Sequence, residues 1–390
     1  MIEKALTGDS KYWAWLFFLL SLMGVGGLFY VQQFNYGLGF TGMSRDVSWG
    51  IYISQFTFLV GVAAGGVMLV LPYYLHDYKT FGRITILGEF MAVAAVSMCL
   101  MFILADLGQP IRALNVLLHP TPTSILFWDM IVLNVYLFLN IVVGWVVLNS
   151  QKKDLPYPNW LKPFIYLSIP WAISIHTVTA FLYCGLPGRH FWLTAILAPR
   201  FLASAFAAGP ALLVICALIM KKFTRFDVGR EALSKLVTII TYAALLNFFF
   251  VLLEVFVAYY SNIPGHKHTL DYLFFGLQHG EHVYDNLMPW MRFSVAAGVI
   301  AVAMFLTPKT RTNDKMLAVA CALLFVSLWI DKGLGLVLGG FVPTPMDHVT
   351  EYIPTFGEIA ITVGIWATGF FILTILYKVA ITTRLNQEEI

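Results

Sequence analysis

Apolar residues in this chain run in ten long stretches, near 12–32, 49–74, 84–106, 124–149, 164–186, 199–220, 236–260, 291–308, 315–340 and 356–379, with short polar segments between them. Each is close to the ~20 predominantly apolar residues that an α-helix needs to cross the hydrocarbon core of a bilayer. The pattern predicts an all-α integral membrane protein of about ten transmembrane helices, one membrane domain over residues 1–390 with no room for a separate soluble one. The first stretch, from Trp13, is long, is flanked by Lys4 and Lys11 and lacks a small-residue cleavage site. It reads as a retained helix rather than a signal peptide.

The polar segments fall into two kinds. Those on one side are short and basic, whereas those at 33–48, 107–123, 187–198, 261–290 and 341–355 are longer and rich in Gly, Pro, His and aromatics. Long loops of that composition suit the docking of an external partner. Within the second stretch, Ala63 to Val70 (AAGGVMLV) matches Ala207 to Val214 (AAGPALLV) of the sixth at five of eight positions, and both stretches run in the same direction. Two readings account for this: a parallel repeat of two four-helix bundles, 49–186 and 199–340, with 12–32 and 356–379 as peripheral helices, or small residues recurring wherever membrane helices pack closely.

Composition supports the bilayer as solvent: 59% of the 390 residues are hydrophobic and 12% charged, about half the usual share. Most of the 24 lysines and arginines, among them Lys79, Arg83, Lys152, Lys153, Lys221, Lys222, Arg225, Arg230, Lys309 and Arg311, fall in the short segments, and Arg384 follows the last stretch. Positive charge is retained on the cytoplasmic side. The chain is therefore expected in the cytoplasmic (inner) membrane as a multi-pass protein with both termini cytoplasmic, and its small net charge of +3 gives no case for nucleic acid. Cys99, Cys184, Cys216 and Cys321 lie too far apart in sequence to build a local zinc or iron–sulfur site.

An ionisable group in a spanning helix costs about 2.5–3.5 kcal/mol near the centre by insertion scales, so each one needs a reason. Tyr52, Gln55 and Leu59 share a face near the outer end of the second stretch; Trp128 and Asp129 reach a similar depth in the fourth, and Asp106 closes the third on that side. These residues are expected to converge on a polar pocket. His176, with Thr179 and Tyr183 on its face, is the only histidine well inside the membrane; His76, His119, His190, His266, His268, His279, His282 and His348 lie at stretch ends or in loops, which argues against a bis-histidine haem. A quinone pocket needs an aromatic slot, donors for the carbonyls and a titratable group, and Tyr52, Gln55, Asp129 and His176 suit those roles. Glu89, on the inner side, extends a possible proton route. Glu254 with Asn247, the neighbours Asp331 and Lys332, and Glu358 supply further buried charge, with a structural ion pair the stronger reading for Asp331 and Lys332. Arg112 is placed to neutralise Asp106 or to guide an anionic partner.

The run from Asp106 to Arg112 (DLGQPIR), the start of the fourth stretch at Thr123–Asp129 (TSILFWD) and the segment from His176 to Pro187–Trp192 (PGRHFW) resemble the NrfD/polysulfide-reductase family of membrane subunits. Trp49–Phe58 (WGIYISQFTF) and Leu71–Lys79 (LPYYLHDYK) look most like its DsrP branch, the quinone-reacting subunits of a sulfite-reduction-associated complex. A hydrogenase-linked (HybB-like) sister branch is the competitor. The resemblance implies a quinone-binding subunit of an oxidoreductase without its own haem or iron–sulfur cluster. It would exchange electrons between menaquinone and an outer-face, ferredoxin-like iron–sulfur subunit, with proton transfer, in sulfite/sulfate respiration. Further partners would be a cytochrome b-type subunit, a multihaem cytochrome c and a cytoplasmic iron–sulfur protein. By the same resemblance Asp129 and His176 carry the chemistry, Tyr52, Gln55, Trp128 and Asp106 bind the quinone, and Glu89, Glu254 and Asp331 belong to a proton path, while Arg189 and Arg200 anchor a partner or the fold. A secondary transporter and a structural anchor for redox partners are the readings from other classes.

Overall fold

Ten apolar helices form along the hydrophobic runs in a computed structural model of the chain: α1 (Ser10–Tyr36), α2 (Ile51–Val67), α3 (Gly82–Asp106), α4 (Ile125–Lys152), α5 (Lys162–Cys184), α6 (Leu197–Phe223), α7 (Arg230–Ser261), α8 (Met288–Leu306), α9 (Asp314–Leu338) and α10 (Phe356–Glu388). The structure describes residues 2–67, 73–74, 78–153, 155–224 and 226–388. Met68 to Pro72 and Leu75 to Asp77 lie outside them, and with them the end of the first small-residue motif, His76 and most of the Leu71–Lys79 run; Arg225 lies outside as well. Helices dominate for a physical reason: hydrocarbon offers no partner for a free N–H or C=O, so each spanning segment must satisfy its own backbone. The outward faces confirm the solvent. On α1, Phe17 and Leu28 are 73% and 70% exposed, as is Tyr242 on α7 at 70%, a surface tolerable only in lipid.

Helix ends follow local chemistry. Asp9 caps α1 by accepting from the Tyr12 N–H at 2.9 Å, and Asn313 caps α9 by accepting from the Lys315 and Met316 N–H groups. Asn262 stops α7 in the left-handed conformation, with φ of 51°. The last ten residues of α9, Trp329–Leu338, wind as a π-helix, a form common at functional sites.

Two rings of four helices result. α2, α3, α4 and α5 close on one another, and α6, α7, α8 and α9 do the same; α2 joins the rings by packing on α6 and on the π segment of α9. α1 and α10 pair side by side, and α10 lies along α3. The rings meet at the two copies of the small-residue motif. A Cβ added to Gly65 would stand 2.6 Å from the Gly209 Cα and from the Ala205 carbonyl oxygen, so the backbones of α2 and α6 touch where only glycine fits. Each copy thus has a packing reason of its own. Gly65→Leu is expected to separate the rings and sharply lower the amount of folded protein recovered from membranes, whereas Gly24→Leu, whose Cβ would meet nothing within 4 Å, should leave it unchanged.

The longer loops gather at one end of the helices and knit together. Arg189 donates to the Phe341 and Asp46 carbonyls, both at 3.1 Å, while its guanidinium lies 4.5 Å from the Phe341 ring centroid. Thr269 donates to the Val342 carbonyl and Thr350 to Asp46 Oδ2. A short helix, Pro264–Phe274, and a hairpin of β1 (Leu277–His279) with β2 (His282–Tyr284) complete this end.

Candidate functional site

α2 carries the centre of the site because nearly every side chain from Tyr52 to Ala64 is enclosed by other helices. Its polar groups are spent in two directions. On one face, Tyr52, fully buried, donates to Gln33 Oε1 at 2.6 Å, and Gln33 Nε2 donates to the Ala105 carbonyl at 2.6 Å. Asp106 follows at the end of α3 and keeps a buried Oδ1 without a hydrogen-bond partner. Arg112 is exposed, and no ion pair joins it to Asp106 among the described residues, so the expected neutralisation of Asp106 is not made. Nearby, Glu358 accepts from Tyr352 Oη at 2.7 Å, from the Gly42 N–H at 2.7 Å and from the Thr355 N–H at 2.8 Å. Burial and that carboxylate hold the Tyr352 phenol, in the loop before α10, well above its usual range.

One turn along α2, the Gln55 side chain is 1% exposed, and its Oε1 accepts from two indoles, Trp329 Nε1 on α9 and Trp366 Nε1 on α10, both at 2.9 Å. Indole nitrogens only donate, so they fix which end of the amide faces them. The other end, Nε2, is a buried donor without a partner among the described residues. Such a group costs about 1–3 kcal/mol unless something accepts from it.

On the opposite face, Thr57 hydrogen-bonds Tyr183, and α4 and α5 meet through Asp129 and Thr179. Thr179 Oγ1 lies 2.7 Å from the Ile175 carbonyl and 3.0 Å from Asp129 Oδ1, yet it has one proton for two acceptors. The Thr179 hydroxyl shares that proton between the Ile175 carbonyl and the Asp129 carboxyl. His176, 1% exposed, has neither ring nitrogen bonded among the described residues. Lys332, on the π segment, is 4% exposed; among the described residues its Nζ has no hydrogen-bond partner, and it sits 4.1 Å from the Phe201 ring centroid.

In the second ring, Arg200 bridges two carboxylates. It binds Asp331 through both carboxylate oxygens at 2.9 Å and Glu254 through Nη1. Asp331 therefore takes part in an ion pair, as expected, with Arg200 as its partner, while Lys332 has turned away to Phe201. Glu89, 1% exposed, accepts from Tyr74 Oη at 3.4 Å near the other end of the first ring.

The candidates thus occupy several places rather than one pocket. Tyr52 and Asp106 share a cluster; Gln55 lies beside it; Asp129 and His176 lie across α2; Glu254 and Asp331 belong to the second ring; and Glu89 stands apart. Trp128 is 48% exposed, its indole donating to the Pro122 carbonyl at 2.8 Å. Its position follows from geometry, since neighbours on a helix point about 100° apart and Asp129 faces inward. Sequence reasoning missed Gln33, Trp329, Trp366 and the linking role of Arg200. A tryptophan at mid-depth in an apolar stretch was the available signal for Trp329 and Trp366, whereas Gln33 stands just past the first stretch, in the last turn of α1. Among the described residues no group of three or more His, Cys, Asp or Glu side chains is placed to hold a metal ion.

Among the described residues, nine helices long and apolar enough to cross a membrane and a shorter tenth, α2, enclosed among them, surround hydrogen-bonded and unpaired polar groups and define a polytopic membrane protein with buried polar sites. More particularly, the sequence profile described as polysulphide reductase, NrfD, matches residues 39–343, and the chain belongs to that family. It is 26% identical over 394 aligned positions to a putative membrane subunit of dimethyl sulfoxide reductase from Halobacterium salinarum, covering 95% of this chain and 86% of that one. It is 23% identical to the Hdr-like menaquinol oxidoreductase integral membrane subunit of Archaeoglobus fulgidus, covering 99% and 98%. Identity to the menaquinone reductase integral membrane subunit of Nitratidesulfovibrio vulgaris is 21%, covering 95% and 91%.

Proposed function

We propose that this chain is the quinone-reacting membrane subunit of a multi-subunit oxidoreductase, and that the quinone is menaquinone. The observation that carries the reading is Gln55 Nε2, a buried amide donor locked in orientation by two tryptophans and left without an acceptor. A quinone carbonyl is an acceptor of the right kind, and Trp329 and Trp366 supply aromatic walls for an apolar ring. The relatives from Archaeoglobus fulgidus and Nitratidesulfovibrio vulgaris carry menaquinol or menaquinone in their names.

When bound, the quinone supplies a two-electron, two-proton couple; the residues supply position and protons. Gln55 orients the ring. Tyr52, held through Gln33, keeps the end of α2 fixed against α3. Asp129 holds an exchangeable proton shared with Thr179, and His176, with both nitrogens free, passes it on. Electrons come from or go to an iron–sulfur partner seated on the loop-rich end, which Arg189 and its bonds make rigid. The remaining redox subunits, the cytoplasmic placement of both termini and a role in sulfite/sulfate respiration rest on the sequence motifs and the charge asymmetry.

The test is to purify the chain with its partners and extract the lipids. Menaquinone near one per chain is expected, and Gln55→Leu should lower retained quinone roughly tenfold, the loss of one well-placed hydrogen bond in a buried site. Absence of quinone in the wild type, together with unchanged quinone reactivity in Gln55→Leu, would overturn the reading.

A further inference from the structure

We propose that a crevice between α1, α3 and α10 is the lateral entrance for the quinone and holds the first part of its isoprenoid tail; this rests on the quinone reading above. The crevice has a volume of about 180 Å³ and is lined by Met23, Gly27, Tyr30, Ala105, Gly364 and neighbouring apolar side chains. Its shape comes from glycine. Gly26 and Gly364 bring α1 and α10 together with almost no space between backbones, a Cβ on Gly26 meeting the Gly364 Cα at 2.8 Å. Gly27, one residue on, opens into the hollow instead, and a Cβ there would meet nothing within 4 Å.

Two of its walls run into the polar core. On α3, the lining residue Ala105 offers its carbonyl to Gln33, which in turn holds Tyr52, and the next side chain, Asp106, leaves its buried Oδ1 without a partner. On α10, the lining residue Ile365 precedes Trp366, which holds Gln55 with its free Nε2. An apolar slot whose walls are followed, one residue on along α3 and α10, by Asp106 and by the tryptophan that holds Gln55 suits a molecule with an apolar tail and a small acceptor-bearing head. A phospholipid presents the opposite, a large hydrated headgroup.

Size decides which part of the ligand fits. A whole ligand pocket runs to about 300–1,000 Å³, so the crevice is too small for ring and tail together. An apolar cavity of about 150 Å³ takes up benzene, six carbons. One five-carbon isoprene unit therefore fits, with the rest of the tail in lipid.

The experiment compares the purified complex carrying wild-type chain, Gly27→Trp, and Gly24→Trp as a control one turn away on the same helix, where an added side chain also meets nothing within 4 Å. Bound menaquinone and phospholipid are quantified by lipid extraction, and turnover is measured with menaquinone and with a tail-less 2-methylnaphthoquinone. Gly27→Trp is expected to lower retained menaquinone and raise the KM for menaquinone roughly tenfold, to raise the KM of the tail-less substrate less, since it meets the plug only on entry, and to leave the control at wild-type values. Wild-type retention and KM in Gly27→Trp overturn the entrance while the quinone reading stands, as does displacement of phospholipid alone. A wild-type complex that neither holds nor turns over quinone overturns both. Should tryptophan lower assembly, Gly27→Leu, a smaller plug, gives the same comparison.

Discussion

Replacing Asp129 with asparagine lowers quinone turnover in the assembled complex on the order of 10²-fold or more, the usual worth of a positioned proton donor or acceptor. The substitution keeps the size of the side chain and an oxygen able to accept from Thr179, so the joint between α4 and α5 survives. Only the exchangeable proton is lost. Retained quinone should stay at the wild-type level, because binding is assigned to Gln55 and its two tryptophans rather than to Asp129. Steady-state rates and extracted quinone, measured on one preparation, separate the two effects. Turnover that survives Asp129→Asn in a fully assembled complex removes Asp129 from the chemistry and favours an anchor that merely holds redox partners at the membrane.

Arg200→Met has the second large effect, and it falls on stability. Among the described residues Arg200 is the one cation paired with both Glu254 and Asp331, across three helices, α6, α7 and α9, with side chains only 8%, 13% and 15% exposed. Removing it leaves two carboxylates facing each other without compensation in a buried interior, a loss of about 3–5 kcal/mol. That is a large part of the roughly 5–15 kcal/mol by which folded domains are stable. A fall in the thermal midpoint of the detergent-purified protein and in its amount in membranes is expected. The triple variant Arg200→Met, Glu254→Gln, Asp331→Asn should regain most of it, since neutral groups carry no comparable desolvation cost. Wild-type quinone turnover in that triple variant would assign Glu254 and Asp331 to architecture; a loss of turnover with stability restored would place them on a proton path.

The ten helices were legible because hydropathy reports a single physical requirement, that backbone in lipid be satisfied within its own segment. The interior was harder to read. Depth along a helix follows from residue number, but rotation about its axis depends on what packs against it. Trp128 and Asp129 share a depth and face opposite environments, one half-exposed and the other buried. Gln55 was found because it is a polar residue in an apolar run; Trp366, its partner 311 positions away, reads in sequence as one more aromatic. Arg200 stands so near the start of its stretch that its burial does not show in the sequence, whereas α6 begins at Leu197 and carries it into the interior. Lys332 shows the same limit, since its neighbour Asp331 takes the ion pair and the π-helical turn directs the ammonium toward an aromatic face.

The two tryptophans on Gln55 tie the site to the order in which the chain is made. The amide belongs to α2, one indole to α9 and the other to α10, so the partners are made long after the residue they hold. A nascent chain that has inserted eight helices already contains Tyr52, Asp129 and His176, yet nothing orients Gln55. On the quinone reading proposed above, the oriented amide therefore forms only once α9 and α10 are in place, and a chain cut before α9 keeps the buried polar groups without it.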